Sequence, residues 1–249
     1  ATAANPKKSH LPGKTNMELT EFNPAYIERR PDIERLIPSS TKNILDIGCS
    51  NGAAGLSMKV QTGSRIVGIE LMPAMAVVAK ERLDAVHVGD AQSILESDKL
   101  GLEKFDVIIF ADVLEHIVDP WHVLKLATRR LKPSGVIITS IPNVRHVDTI
   151  FNLVFRGHWP YRERGIHDRT HLRFFTRRNI VELMDSAGLT IDAEATNYRI
   201  IERPHPWNRH ADRMARIPGL KPFLAFQYVM RARPSESAMQ QPTIGRELM

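Results

Sequence analysis

Three carboxylates stand where short apolar runs end: Asp46 in Asn43-Ile44-Leu45-Asp46-Ile47, Glu70 closing Arg65-Ile66-Val67-Gly68-Ile69-Glu70, and Asp90 two residues past Val88. Asp46 is followed by Gly48-Cys49-Ser50-Asn51-Gly52-Ala53-Ala54-Gly55, whose glycines let the backbone turn sharply and come close to a ligand. Aligned to the dinucleotide fingerprint, Gly48-x-Ser50-x-x-Ala53 lacks the middle glycine that admits a pyrophosphate, so a nicotinamide or flavin dinucleotide is disfavoured. A carboxylate at Asp46 suits a cationic group, and the N–H groups of the helix behind the loop suit an anionic one; an α-amino acid presents both. Glu70 can accept hydrogen bonds from both hydroxyls of a ribose, and Asp90 from an exocyclic adenine amine. Any one of these acids alone reads as a helix cap or a surface charge. Together, in strand order, amino acid, ribose and adenine compose S-adenosylmethionine.

Transfer of a sulfonium methyl is an in-line displacement, helped by positioning and, for a hydroxyl acceptor, by a general base. Histidine, with an ordinary pKa near about 6.5, suits that work. Of ten histidines, His146, His158, His167 and His171 fall in the segment after the fifth expected strand, and His116 follows Glu115 after the fourth. His171, His116, His167, Asp168 and the amide Asn143 are the catalytic or acceptor-orienting candidates. Seven arginines within 156–178, interleaved with Trp159, Tyr161, Phe174 and Phe175, could clamp a phosphorylated or carboxylated sugar while the rings stack on it. Trp159, Tyr161, Arg169, Arg173 and His146 are the acceptor-binding candidates, against a bland reading in which the Phe pair is core and some arginines pair with Glu163 or Asp168. His167-x-x-x-His171 is too little to predict a metal.

These residues need a scaffold, and the hydrophobic rhythm supplies one. Runs at 43–47, 65–70, 85–88, 105–110 and 135–140 are continuously apolar, as strands buried on both faces should be. Helical patterns lie between them at Ala53–Gln61, Pro73–Leu83 and Pro120–Leu131, the last with Asp119 as N-cap. Alternating strands and helices mean a doubly wound, mostly parallel α/β sheet, whose ligands bind beyond the C-terminal ends of the strands. Pro24–Ile37 reads as a helix closing over the sheet, Arg177–Ala187 as a helix capped by Thr176, and Ile191–Arg203 as further strand.

With 249 residues the chain has room for one full-sized core, and 43% hydrophobic with 25% charged residues excludes wholesale disorder. The single cysteine, Cys49, excludes a disulfide scaffold and a multi-cysteine zinc site, and no run is long enough for a membrane span; a cytoplasmic protein is expected. The net charge of +6 lies entirely past residue 150, where 16 Lys/Arg, all but one arginine, face 10 Asp/Glu. An anionic partner is one reading of that bias and a solvated basic surface the other.

The chain resembles the class I S-adenosylmethionine-dependent methyltransferases. The resemblance rests on Asp46-Ile47-Gly48-Cys49-Ser50-Asn51-Gly52, Glu70, Asp90, the stretch from Phe105 to His116 and Leu131-Lys132-Pro133-Ser134-Gly135; Ser50 stands where the family usually has glycine. It implies that Gly48 and Gly52, with Cys49 and Ser50, flank the amino-acid end of the cofactor. Glu70 and Leu71 would lie at the ribose, Asp90 and Ala91 at adenine, and Ala111 and Asp112 in the methyl-donor pocket. Ser140-Ile141-Pro142-Asn143 and Trp159 through Thr176 are similar to the small bacterial enzymes of quinone biosynthesis and glycan modification. The expected organisation is a mobile segment 1–23, a Rossmann-like methyltransferase domain 24–203 with an inserted acceptor segment 141–178, a basic aromatic extension 204–233 and a disordered tail 234–249. Residues 203–233, with Trp207, Phe223, Phe226 and Tyr228, could touch an anionic membrane or a partner, or pack on the sheet as a terminal helix. The expected function is O-methylation of a small-molecule or glycan-precursor acceptor. Alternatives are RNA methylation, disfavoured by the modest basic bias, and a non-catalytic S-adenosylmethionine-binding regulatory module.

Overall fold

A computed structural model describes residues 29–235, so the expectations for segment 1–23 and for residues 236–249 lie outside the described residues. Strands β1 (Asn43–Ile47), β2 (Arg65–Glu70), β3 (Ala85–Val88) and β4 (Phe105–Ala111) form on the apolar runs, and β5 extends over Leu131–Pro142. They pair in parallel, joined by α2 (Ala53–Thr62), α3 (Pro73–Ala79), α4 (Ala91–Glu96) and α5 (Pro120–Thr128); a short α1 (Pro31–Glu34) precedes them. After β5 come α6 (Val147–Arg156), α7 (Arg177–Ser186), β6 (Leu189–Tyr198), two single-turn helices, α8 (Ala211–Met214) and α9 (Lys221–Leu224), and finally β7 (Ala225–Pro234). The sheet order is β3-β2-β1-β4-β5-β7-β6, with β7 antiparallel to both neighbours.

Successive side chains of a strand point to opposite faces, so the apolar runs feed two cores. Leu45, Val67, Ile108 and Ile137 meet Val123 and Leu124 of α5 and Ile180 and Leu183 of α7 on one face. Ile44, Ile66, Val107 and Ile109 meet Ile33, Met58, Ala79 and Leu83 on the other. The chain leaves β1 in one direction to β2 and returns to its other side as β4, so the crevice beyond β1 and β4 is the topological switch point where such sheets bind ligands.

Several boundaries differ from expectation. Within the described part of Pro24–Ile37 only Pro31–Glu34 is helical, and the chain turns off before Pro38. α3 ends at Ala79 rather than Leu83, and α5 at Thr128 rather than Leu131, because Leu131 is drawn into β5 opposite Phe105. The boundary at 203 does not divide the architecture. Residues 225–234 are not part of an appended extension; β7 lies between β5 and β6, with Tyr228, Val229 and Met230 buried, and β6 joins the sheet only through it.

Gly68 lies inside β2 where a Cβ would come within 2.5 Å of Cys49 Sγ and 2.9 Å of Leu83 Cδ1. Its bare backbone lets the first loop fold down against the sheet. Gly68→Ala should destabilise the protein by about 1–3 kcal/mol, read as a lower urea midpoint; an unchanged midpoint would show that the loop is not packed this way.

Candidate active site at the strand ends

The glycine loop is tied to the edge of β2. The N–H groups of Gly48 and Cys49 donate to the Ile69 carbonyl at 2.8 and 3.1 Å, and the Ser50 N–H donates to Glu70 Oε2 at 2.8 Å. Glu70 Oε1 accepts from Met72 N–H at 2.8 Å. Gly48, Ser50 and Gly52 all take positive φ, 76°, 51° and 77°. Ser50 therefore holds a conformation that costs a non-glycine residue, and the Glu70 bond is what secures it. Each carboxylate oxygen has more than one lone-pair site, so Glu70 keeps acceptor capacity on both oxygens for a diol. Beside it Leu71 and Met72 are exposed. Asp90 is exposed and caps α4, its Oδ1 accepting from Ser93 N–H at 3.0 Å; Oδ2 takes no part in the cap, and half-buried Ala91 opens the helix.

Asp46 is buried beneath the loop, and burial together with the charge of Glu70, opposed by Arg30, pushes its pKa up to about 7. Burial and the same two acids raise the Cys49 thiol, so it is protonated and packs as a small apolar group. Across the crevice Ala111 ends β4, and Asp112 adopts φ 56°, the second strained non-glycine residue at this edge. Asp112 is gripped by Arg30 Nη1 at 2.6 Å and by the Gln227 amide, while Arg30 Nη2 reaches Asp32 at 3.0 Å and Ser140 Oγ at 2.7 Å. Burial opposes the Arg30 charge, but Asp112 and Asp32 outweigh it and the guanidinium is held firmly protonated.

A cleft of about 730 Å³ opens from Asp112 and Arg30 along β7 and the loop after α6. Glu115, His116 and His171 line it. His171 donates Nδ1–H to the Ile166 carbonyl at 3.2 Å, which leaves Nε2 as the lone-pair nitrogen, 3.9 Å from Glu115 Oε1. Burial and the neighbouring His116, its ring centroid 4.6 Å away, lower the His171 pKa. Glu115 is buried and its pKa is raised well above the usual carboxyl range, by burial first and then by Asp112. Its Oε2 is buried without a hydrogen-bond partner among the described residues. His116 Nδ1 meets Thr170 Oγ1 at 3.1 Å. The three side chains place one oxygen and two ring nitrogens within 4.8 Å of one another, a set that could also take a divalent cation, an arrangement that the sequence spacing alone does not suggest.

Other candidates are placed elsewhere. His167 is fully buried, with Nδ1 on Glu202 at 2.8 Å and Nε2 on Thr149 at 3.1 Å, so neither ring nitrogen is left for an acceptor. His146 caps α6 through Nδ1 and bonds the Arg199 carbonyl through Nε2 at 2.9 Å. Asn143 spends its amide on the carbonyls of Pro222 and Ala225 and on the Arg145 N–H. Asp168 closes a turn at Thr170. All four are buried and their polar atoms are engaged by neighbouring groups, as buried polar groups require. Arg169 is exposed against Glu163, and Arg173 bonds the Val118 carbonyl and stacks over Trp121, away from the cleft. Tyr161 is exposed, and Trp159 packs edge-on to His167 and Phe174. Of the Phe pair, Phe175 is core and Phe174 exposed. Arg30 and Gln227 went unnoticed in the sequence because nothing local marks either; Glu115 was visible only as a neighbour of His116.

A family pattern described as a methyltransferase domain matches residues 19–194. Ubiquinone biosynthesis O-methyltransferases of Cereibacter sphaeroides are similar to this chain. One is 28% identical over 162 residues, and that alignment covers 64% of each protein. Another is 30% identical over 177 residues, covering 69% of this chain and 68% of the relative. Among solved structures, a SAM-dependent methyltransferase from Archaeoglobus fulgidus superposes with a TM-score of 0.56 at 18% identity, covering 81% of this chain and 90% of its own; it speaks to the fold.

Asp46 also gives a pH test. Its folded pKa lies above the unfolded value, so its contribution to stability is full at about pH 4 and is lost as pH rises through about 7. Asp46→Asn should raise the melting temperature by on the order of 5 °C at about pH 8 and change it little at about pH 4; equal shifts at both would contradict the buried, proton-holding carboxyl.

Proposed function

This chain belongs to the methyltransferase-domain family, and we propose that it O-methylates a small-molecule acceptor seated in the cleft beyond Asp112. S-adenosylmethionine, when bound, supplies the sulfonium methyl. The strand-end residues fit that cofactor. Glu70 retains acceptor capacity for the ribose diol, and Asp46 with Glu70 favours a cation at the crevice. Asp90 Oδ2 with Leu71 and Met72 offers a polar edge and an apolar face to the base. Gly48, Cys49, Ser50, Gly52, Ala91, Ala111 and Asp112 complete the proposed contact surface.

The observation that carries the acceptor side is the facing pair of His171 Nε2 and Glu115 in a cleft that starts at Asp112. With its pKa lowered, His171 is a neutral base near neutral pH and can take the proton from an acceptor hydroxyl. Glu115, its carboxyl pKa raised by burial and one buried oxygen unpartnered among the described residues, gains a hydrogen bond when that hydroxyl arrives. The printed names of the relatives, O-methyltransferases, favour oxygen as the acceptor atom. Contact with an anionic membrane is a second reading, favoured by α6 rather than by residues 203–233: Phe151, Leu153, Val154 and Phe155 are exposed beside Arg156.

Glu70→Ala should abolish calorimetric binding of S-adenosylhomocysteine; retained affinity would overturn the ribose assignment. His171→Ala should keep that binding and lose turnover by about 10²–10⁴-fold on hydroxyl acceptors, and full activity would remove it as the base. Because the His171 pKa is lowered, the acid limb of the wild-type rate profile should lie below 6.5. A chelator should leave the rate unchanged if His171, His116 and Glu115 act without an ion; loss restored by a divalent metal would replace the proton-transfer role.

A further inference from the structure

The arginines of the cleft fall into two groups. Arg30 spends its charge on Asp32 and Asp112, and Arg162 on Glu202. Arg35, Arg164, Arg199 and Arg203 make no ion pair among the described residues, and of these Arg199 is the one held against an aromatic ring. Arg199 lies over the Phe226 ring, 3.9 Å from guanidinium carbon to centroid, and its Nη1 donates to the Glu202 carbonyl at 2.8 Å, a neutral acceptor. Burial lowers its pKa; Glu202 and Asp112 pull against that, and the like charge of Arg164 adds to it. Arg164 and Arg199 line the same cleft, and Arg199 is half-buried and fixed on an aromatic face, an arrangement suited to receiving an anion. The lining as a whole carries seven arginines against five carboxyl residues.

Resting on the reading of this cleft as the acceptor pocket, we propose that Arg164 and Arg199 bind a phosphoryl group of the methyl acceptor. A phosphomonoester carries close to two negative charges near neutral pH, matching the excess of seven arginines over five carboxyl residues in the lining, whereas a lone carboxylate would answer only one of them. Phe226, beneath Arg199, fixes the plane of the fork so that little side-chain freedom is lost on binding. His171 and Glu115 line the same cleft, so an acceptor anchored by its phosphoryl group can present a hydroxyl to them. The position of the hydroxyl relative to the phosphoryl group then becomes the selected feature of the substrate.

The test is calorimetric titration of pyrophosphate, and separately of acetate, into the full chain at constant ionic strength. It uses wild type, Arg164→Gln and Arg199→Gln, each also titrated with S-adenosylhomocysteine. Pyrophosphate should bind wild type more tightly than acetate and weaken by roughly tenfold or more in each variant, with S-adenosylhomocysteine affinity unchanged. Arg164 is exposed and makes no ion pair among the described residues, so its variant keeps the test meaningful even if Arg199→Gln loosens the fold. Equal pyrophosphate affinity in wild type and Arg164→Gln, or acetate binding as tight as pyrophosphate, would overturn the phosphoryl assignment. Failure of wild type to bind S-adenosylhomocysteine would instead count against the methyltransferase reading and leave the anion result separately legible.

Discussion

Four carboxyl groups, Asp46, Glu70, Asp112 and Glu115, are brought to one edge of the sheet, with the Arg30 guanidinium set among them. Like charges drawn together out of water resist ionisation, and the protein answers in different ways at different positions. Asp112 is paired with Arg30. Glu70 accepts two backbone N–H bonds and in doing so fixes the loop over it. Asp46 and Glu115 have their pKa values raised by burial and by their acidic neighbours. The crevice is therefore electrostatically incomplete as it stands, and a cationic ligand at its centre would relieve the repulsion.

The same economy separates the histidines. Four lie in the segment after β5, but buried His146 and His167 each use both ring nitrogens to bind the loop to α6 and to Glu202. That work is what holds His171 against Ile166 with one nitrogen free. Two members of one residue type thus serve as clamps while a third, His171, keeps a ring nitrogen toward the cleft, and the number of partners at each ring makes the difference. The arginines of the cleft divide similarly: Arg30 and Arg162 are paired with carboxylates, whereas Arg35, Arg164, Arg199 and Arg203 make no ion pair among the described residues.

The strands through β5 and the acids at their ends were legible because a two-sided sheet writes itself as continuous β-branched runs, and chain direction fixes which end carries the ligand. Asp46, Glu70 and Asp90 could be chosen from that rule alone, whereas Asp112 entered only through the family resemblance. Asp90 is observed as the cap of α4, which engages one of its carboxylate oxygens. The loop after β5 was not legible to the same degree. His146, His167, Asn143 and Asp168 have the residue types of a catalytic site, and one-dimensional spacing holds nothing to say that their polar atoms are already satisfied by the carbonyls, hydroxyls and carboxylates that the fold brings alongside.

What the sequence determined by itself is the alternation of elements and the acidic strand ends, because both follow from local periodicity and chain direction. What only the tertiary structure decided is which groups meet. Arg30 reaches Asp112 across 82 positions and Gln227 reaches it across 115, and β7 enters the sheet from a segment that reads as an appendage. Such pairings depend on side-chain geometry after the strands have ordered, and a contact between distant residues leaves no trace in the pattern of either neighbourhood.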